Sequence, residues 1–239
     1  MRITIVVPAY QAAKTLRSVL DRIPKDIMEE IHKIIIANDA STDSTAQIAA
    51  EAVKTYPKIE LVNHPQNMGY AQIQKTSFKQ ALQEQADAIV LLHSDGQYAP
   101  ELLGKMIEPI KNGQADVTQG SRILGGKALE GGMPLYKYIA NRALSTLENI
   151  ALGLNFTEYH SGYMAYTRKA LETIPFEKLS DTFHFDGEML FMACKRNLRV
   201  LQVPIPTHYG SEKSHLKPIS YGFDVLKIIA KYKLGKYDF

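Results

Sequence analysis

Short apolar runs alternate with amphipathic stretches through the first half of the chain. Ile3–Val7, Lys33–Ala37, Ile59–Val62, Ala88–Leu92 and Asp116–Gln119 suit strands buried on both faces. Between them, Ala12–Arg22, Thr45–Lys54, Tyr70–Glu84 and Glu101–Lys111 carry helical patterns, and Ser44 with Gln47 has the spacing of a capping box. This rhythm predicts an α/β fold with a Rossmann-like, mainly parallel sheet flanked by helices. After Gly120 the pattern changes. Gly125, Gly126, Gly131 and Gly132 punctuate a stretch that leads into a helix at about Leu135–Leu152. Tyr163–Tyr166 and Val200–Val203 read as further strands, with a helix over Phe185–Arg196 between them. The expected organisation is one domain over residues 1–216 and an amphipathic helical tail over 217–239. In that tail Ile219, Phe223, Leu226, Ala230 and Leu234 form an apolar stripe, while Lys217, Ser220, Asp224, Lys227 and Lys231 form a polar one. Docking on the domain and lying in a membrane interface both stay open, and Val225, Ile228 and Ile229, which widen the apolar surface, favour docking.

Composition narrows the function classes. Apolar residues make up 45% and charged residues 22%, ordinary for a soluble domain, and 239 residues suffice for a substantial core. A net charge of +3 is too small for a nucleic-acid footprint. Cys194 is the only cysteine, which excludes an internal disulfide and a four-thiolate zinc site and agrees with a reducing compartment. The first apolar run stops at Pro8, too short for a signal-peptide core, and no run approaches the roughly 20 residues of a membrane span. The expected location is therefore cytoplasmic, with any membrane contact peripheral and at the inner face. A homo-oligomer stays open.

In an open parallel sheet, ligands bind beyond the carboxyl ends of the strands. Those ends carry Pro8-Ala9-Tyr10, Asn38-Asp39, His93-Ser94-Asp95-Gly96-Gln97 and Gly120-Ser121-Arg122. The first strand-to-helix turn, PAYQAAKT, has no glycine, which argues against a dinucleotide fingerprint, and no P-loop occurs. Nucleotide phosphates would need another counter-charge, for which a Mg2+ or Mn2+ ion held by Asp95 is the candidate.

PAYQAAKTL, NDASTDST, NMGYAQIQKTSFKQA, HSDGQYAPE, GSR, SGYMAYTRKAL, FDGEML and VPIPTHYGSEKSH follow one another at the order and spacing seen in family-2 glycosyltransferases. Over about residues 3–215 the chain resembles the branch of dolichyl-phosphate mannose and glucose synthases. The resemblance implies a GT-A fold, a nucleotide diphosphate sugar donor, an acceptor lipid phosphate or glycan hydroxyl, and inversion at the anomeric carbon. Carried over residue by residue, Pro8, Ala9 and Tyr10 line the nucleoside pocket and Asp39 bonds the base or ribose. Asp95 and Gln97 match metal-binding positions, Arg122 sits near the diphosphate, and Lys213 lies on a late loop closing over the phosphates. Two positions depart from the pattern. His93 stands where the family has its first aspartate, and Thr207 stands where the polyprenyl-phosphate branch often has arginine.

Each of these residues has a plainer reading. Asp39 could cap a helix and Asp95 could serve only its turn. His93 is either a metal ligand or a group fixed by hydrogen bonds, while His208 and, less so, His215 could reach a metal or be polar surface. Asp186 and Glu188, two apart on a helix, cannot both face one site. Asp186 is taken as the base for an acceptor hydroxyl, against a role as N-cap; an ionised acceptor phosphate would need no strong base. Lys75 is expected on solvated surface and Cys194 in core packing. The rival function is a non-catalytic nucleotide-sugar-binding partner of another transferase, which His93 favours. A nucleotidyltransferase would want a Gly- and Arg-rich first loop, which PAYQAAKT does not supply.

Overall fold

The computed structural model describes residues 1–207 and 218–237. In chain order its elements are β1 (Ile3–Ala9), α1 (Leu16–Asp21), α2 (Lys25–Glu30), β2 (Lys33–Asn38), α3 (Thr45–Thr55), β3 (Ile59–Asn63), α4 (Tyr70–Gln83), β4 (Ala88–Leu91), α5 (Leu103–Lys111), β5 (Val117–Ser121), α6 (Leu135–Leu152), β6 (Met164–Thr167), α7 (Arg168–Thr173), α8 (Phe185–Lys195), β7 (Val200–Pro204) and α9 (Pro218–Lys233). All seven strands join one sheet in the order β3-β2-β1-β4-β6-β5-β7. Only β6 runs antiparallel to its neighbours, which brings its first residues to the edge where β1, β2, β4 and β5 end.

Alternation along the strands builds two cores. Ile3, Ile5 and Val7 face one way with Ile34, Ile36 and Val90, packing against α1, α2, α3 and α5. Val6, Ile35, Ile89 and Leu91 face the other way and pack against α4, α7, α8 and α9. Because both faces are covered there, the central strands β1, β2 and β4 read as largely apolar runs.

Local polar bonds explain where helices depart from the sequence pattern. α1 starts at Leu16 rather than Ala12: Ala12 N–H donates to Thr45 Oγ1 (2.8 Å) and Ala13 N–H to Asp43 (3.2 Å), while Gln11 takes a φ of 52°. These bonds hold residues 11–13 across the sheet edge instead of in a helix. The capping box at Ser44 does not form; Asp43 accepts the Thr45 N–H at 3.0 Å in its place. Lys75 is buried rather than solvated. Its ammonium donates to Leu179 O (2.7 Å) and Asp181 (2.6 Å) and lies over the Phe185 ring.

α6 and α9 pack against each other with unusual outer faces. On α6 the buried residues include Asn141, Ser145 and Glu148, whereas Tyr136, Ile139, Leu147 and Ile150 face solvent, Ile150 at 75% exposure. α9 docks through Val225 and Ile228, and Tyr232 and Tyr237 stack edge-on against Phe191 of α8. The apolar stripe of the tail points outward, with Phe223, Leu226 and Leu234 exposed beside Lys227 and Lys233. The reason is chemical: the inward side of α9 carries hydroxyls for buried polar partners, Tyr221 for two histidines and, just beyond the helix, Tyr237 for Glu188.

Removing residues 218–239 should therefore destabilise the protein. Val225 and Ile228 each contribute roughly 1.5–3 kcal/mol by burial, which corresponds to a fall in Tm on the order of 10 °C for a domain of this size. A truncated chain melting with the intact one would show that α9 does not dock.

Candidate active site

The polar strand ends gather along one edge of the sheet and are tied to each other. Ser94 Oγ donates to Pro8 O at 2.7 Å, and Asp39 N–H donates to Ala9 O at 2.9 Å. Ala9 is buried and Tyr10 stands exposed at the mouth. Asp39 caps no helix. Its buried carboxylate accepts the backbone N–H groups of Met68 (2.7 Å) and Gly69 (3.0 Å), which pins the NMGY turn that starts α4. Gly69 takes a φ of 82° there, a conformation that glycine adopts without strain.

Asp95 and Gln97 share the turn after β4, where Asp95 Oδ1 accepts the Gln97 N–H at 3.0 Å and Gly96 takes a φ of 76°. The turn is half-buried, and it places a carboxylate and an amide side by side. Oxygen donors of this kind suit Mg2+ or Mn2+. His93 turns the other way. Its Nε2 lies 3.5 Å from the Tyr70 hydroxyl, and its ring packs edge-on to Tyr98 with centroids 5.2 Å apart.

A second group forms around Gly162. Tyr70 donates a short hydrogen bond to Asp186 Oδ2. A Cβ on Gly162 would stand 2.7 Å from the Tyr70 hydroxyl, 2.8 Å from His93 Nε2 and 3.0 Å from Asp186 Oδ2, so three side chains converge where only glycine fits. Gly162 N–H in turn donates to the Tyr98 oxygen at 2.8 Å, and burial pushes the Tyr98 phenol up to about 12. Asp186 lies in the first turn of α8, inside the helix rather than at its cap. Burial raises its pKa above the usual carboxylate value, against the opposing pull of His93 and Tyr70, and its Oδ1 is buried with no hydrogen-bond partner. A carboxylate shifted toward neutrality with an open lone pair is suited to taking a proton. Glu188 points away, accepting from Ser180 and Tyr237 in full burial.

Arg122 follows β5 and directs its guanidinium to Glu158, with Nε at 3.0 Å from Oε1, and to His160 O at 2.6 Å. Its backbone N–H also donates to Glu158 (2.8 Å), and Asn141 Nδ2 completes the shell at 2.8 Å. Thr207 is buried, and its carbonyl oxygen would lie 2.4 Å from a Cβ on Gly131, so the glycine-rich stretch crosses the chain end of β7 in close contact. His208, Lys213 and His215 lie outside the described residues.

The structure thus joins Pro8, Ala9, Tyr10, Asp39, Asp95 and Gln97 on one side and His93 and Asp186 on the other. Tyr70, Tyr98, Glu158 and Gly162 belong to the site without having been singled out. Tyr70 follows the NMG turn directly and Gly162 lies within SGY, so both sat in the quoted motifs, but nothing in a linear pattern marks their convergence.

Comparisons with known proteins place the chain among glycosyltransferases. The "UDP-N-acetylglucosamine--dolichyl-phosphate N-acetylglucosaminyltransferase" of Methanococcus voltae is 29% identical over 248 positions, covering 98% of this chain and 97% of that protein. The "Undecaprenyl-phosphate mannosyltransferase" of Micrococcus luteus is 28% identical, covering 86% and 83%. Among solved structures, glucosyl-3-phosphoglycerate synthase from Mycobacterium tuberculosis in complex with Mn2+, uridine-diphosphate-glucose and phosphoglyceric acid superposes with a TM-score of 0.74 at 17% identity, covering 98% of this chain and 80% of that one. The sequence pattern described as "Glycosyl transferase family 2" matches residues 4–175, most of the chain. With the mainly parallel sheet and the strand-end site already in place, that match means that the chain belongs to glycosyl transferase family 2 and is a glycosyltransferase of GT-A fold.

Proposed function

We propose that the enzyme transfers a sugar from a nucleotide diphosphate donor to a polyprenyl phosphate at a membrane surface, with inversion. The observation that carries the acceptor class is the outward apolar surface of α6 and α9, where Tyr136, Ile139, Ile150, Phe223 and Leu226 stand exposed beside Lys227 and Lys233. Such a surface, apolar and rimmed with cations, suits a peripheral seat on anionic lipid. Among the described residues no helix is long and apolar enough to cross a membrane. Relatives named for dolichyl-phosphate and undecaprenyl-phosphate transfer support the same class.

In this reading Pro8, Ala9 and Tyr10 wall the nucleoside pocket, Asp39 holds the turn beside it, and Asp95 with Gln97 would hold Mn2+ or Mg2+. The ion would supply positive charge for the departing diphosphate. Arg122 borders the phosphates with its charge shared with Glu158; Lys213, given a phosphate-closing role by the resemblance, lies outside the described residues. An acceptor oxygen attacks the anomeric carbon from the face opposite the diphosphate; the new glycosidic bond forms as the bond to the β-phosphate oxygen breaks. A phosphate acceptor arrives ionised and loses no proton. A hydroxyl acceptor is the second reading, favoured by Asp186, whose Oδ1 has no hydrogen-bond partner and whose pKa burial raises, and which would take the hydroxyl proton.

Three expectations follow. Uridine or guanosine diphosphate should raise Tm with Mn2+ present and not in excess chelator, and Asp95→Ala should abolish transfer while keeping the fold; metal-independent binding or full turnover would remove the ion from the site. Asp186→Asn should slow transfer to a hydroxyl by about two to four orders of magnitude and affect a phosphate acceptor far less. Its stability carries a definite sign. A carboxyl whose folded pKa is raised favours the fold below its unfolded value, about pH 4, and loses that contribution as pH rises through the folded pKa. The variant should therefore match the wild type near pH 4 and melt at or above it at pH 8; a large loss at pH 8 would contradict the burial of a charge-averse carboxyl. Finally, the enzyme should sediment with anionic liposomes and be released by salt. Replacing Lys227, Lys231, Lys233 and Lys236 should abolish most of that binding, since each contributes roughly 1 kcal/mol.

A further inference from the structure

Behind the transfer site, four side chains from separate parts of the chain meet largely away from solvent. Glu148 comes from the inner face of α6, His160 from the loop before β6, His184 from the residue before α8, and Tyr221 from α9. Glu148 and His184 are almost fully buried, with His160 only slightly less so. His184 Nε2 lies 2.9 Å from Glu148 Oε1 and His160 Nε2 lies 3.2 Å from Glu148 Oε2. On their other sides, the two rings share one hydroxyl: His160 Nδ1 is 2.7 Å and His184 Nδ1 2.9 Å from the Tyr221 oxygen.

These four contacts need four protons. Two neutral imidazoles and one phenol bring three. A fourth would have to come from an imidazolium or from a protonated Glu148 carboxyl. Glu148 Oε2 and His160 Nε2 are both buried without a hydrogen bond despite their closeness. Among the described residues no lysine or arginine pairs with Glu148, so a buried carboxylate faces only two imidazoles.

We propose that Glu148, His160 and His184 form a divalent-cation site of the zinc type, separate from the donor-binding turn at Asp95. A cation bound by both Nε2 atoms and the carboxylate takes the place of the missing proton. Both Nδ1–H groups then donate to the Tyr221 oxygen, which can accept two, and a histidine ligand commonly has such an outer partner. Two nitrogens and a carboxylate suit zinc or cobalt, whereas magnesium prefers all-oxygen shells. The separations fit as well. All three ligand atoms lie within 4.8 Å of one another, and the 2.9 and 3.2 Å edges approach the roughly 3.3 Å expected between ligands on bonds of about 2.0–2.1 Å in a tetrahedral shell. The site's role is positional. His160 O accepts the Arg122 guanidinium, His184 is two residues from Asp186, and Tyr221 belongs to the C-terminal helix. One ion would thus fix Arg122, Asp186 and the helix behind them.

The test uses the full chain stripped with chelator and titrated with cobalt and then zinc. One equivalent of cobalt should give the visible absorption of a nitrogen-ligated, low-coordinate ion; zinc should displace it and raise Tm, while magnesium should do neither. The double variant His160→Gln/His184→Gln should lose the absorption and the Tm rise, and Asp95→Ala should keep both. Should the double variant fail to fold, Tyr221→Phe keeps every ligand, and it should weaken cobalt affinity by about 10–100-fold. Absence of cobalt absorption in the wild type would overturn the proposal. So would absorption that survives the double histidine change or disappears with Asp95→Ala.

Discussion

The buried ion pair of Arg122 and Glu158 organises the half of the enzyme that follows the first five strands. Glu158 has no exposed surface, and a carboxylate in that position is tolerated only when its charge is matched and its lone pairs are filled. Arg122 supplies the guanidinium and a backbone N–H, and Asn141 on α6 supplies an amide. Removing one partner of such a pair costs about 3–5 kcal/mol. The pair also fixes a short stretch of backbone with consequences on both sides. Two residues beyond Glu158, His160 enters the buried histidine group; four beyond, Gly162 brings Tyr70, His93 and Asp186 within reach of each other.

The strand-end edge is thereby divided into two chemical regions. Toward β1 and β2, carboxylate and backbone bonds from Asp39, Ser94 and Asp95 shape turns around an open polar mouth. Toward β6 and α8 the surroundings are aromatic and dry, and burial raises Asp186 and both neighbouring phenols, Tyr70 and Tyr98. His93, at the place of the family's first aspartate, belongs to this second region through Tyr70 and Tyr98. A departure that looks in sequence like a weakened metal site is, in the fold, a change on the side of Tyr70 and Asp186.

How much was legible in the sequence depended on the type of interaction. All seven strands could be read: β1, β2 and β4 are buried on both faces and read as apolar runs, while β3, β5 and β7 mix apolar and polar residues but keep short apolar segments. α2 and α7, six residues each, are too short to show a period, and α1 lost its first turn to bonds from Thr45 and Asp43 that no local pattern announces. Lys75 reads as surface until Asp181 and Leu179 O are seen to receive it. The apolar stripe of α9 was legible as a stripe but the way it faces was not, since what decides its orientation is the hydroxyls of Tyr221 and Tyr237 meeting partners on other elements. Strand-end residues were legible because position along a parallel sheet already implies a shared edge; the convergence at Gly162 was not, because it depends on β6 running antiparallel.

The central claim, that the turn holding Asp95 and Gln97 is where metal and donor diphosphate meet, is tested most directly by diffraction from crystals soaked with uridine diphosphate and Mn2+, using the anomalous signal of manganese. The account places a manganese peak against the Asp95 carboxylate, with the diphosphate on its open side and the nucleoside between Tyr10 and the Asp39 turn. Nucleotide bound with no manganese beside Asp95, or manganese found only at Glu148, His160 and His184, would contradict it.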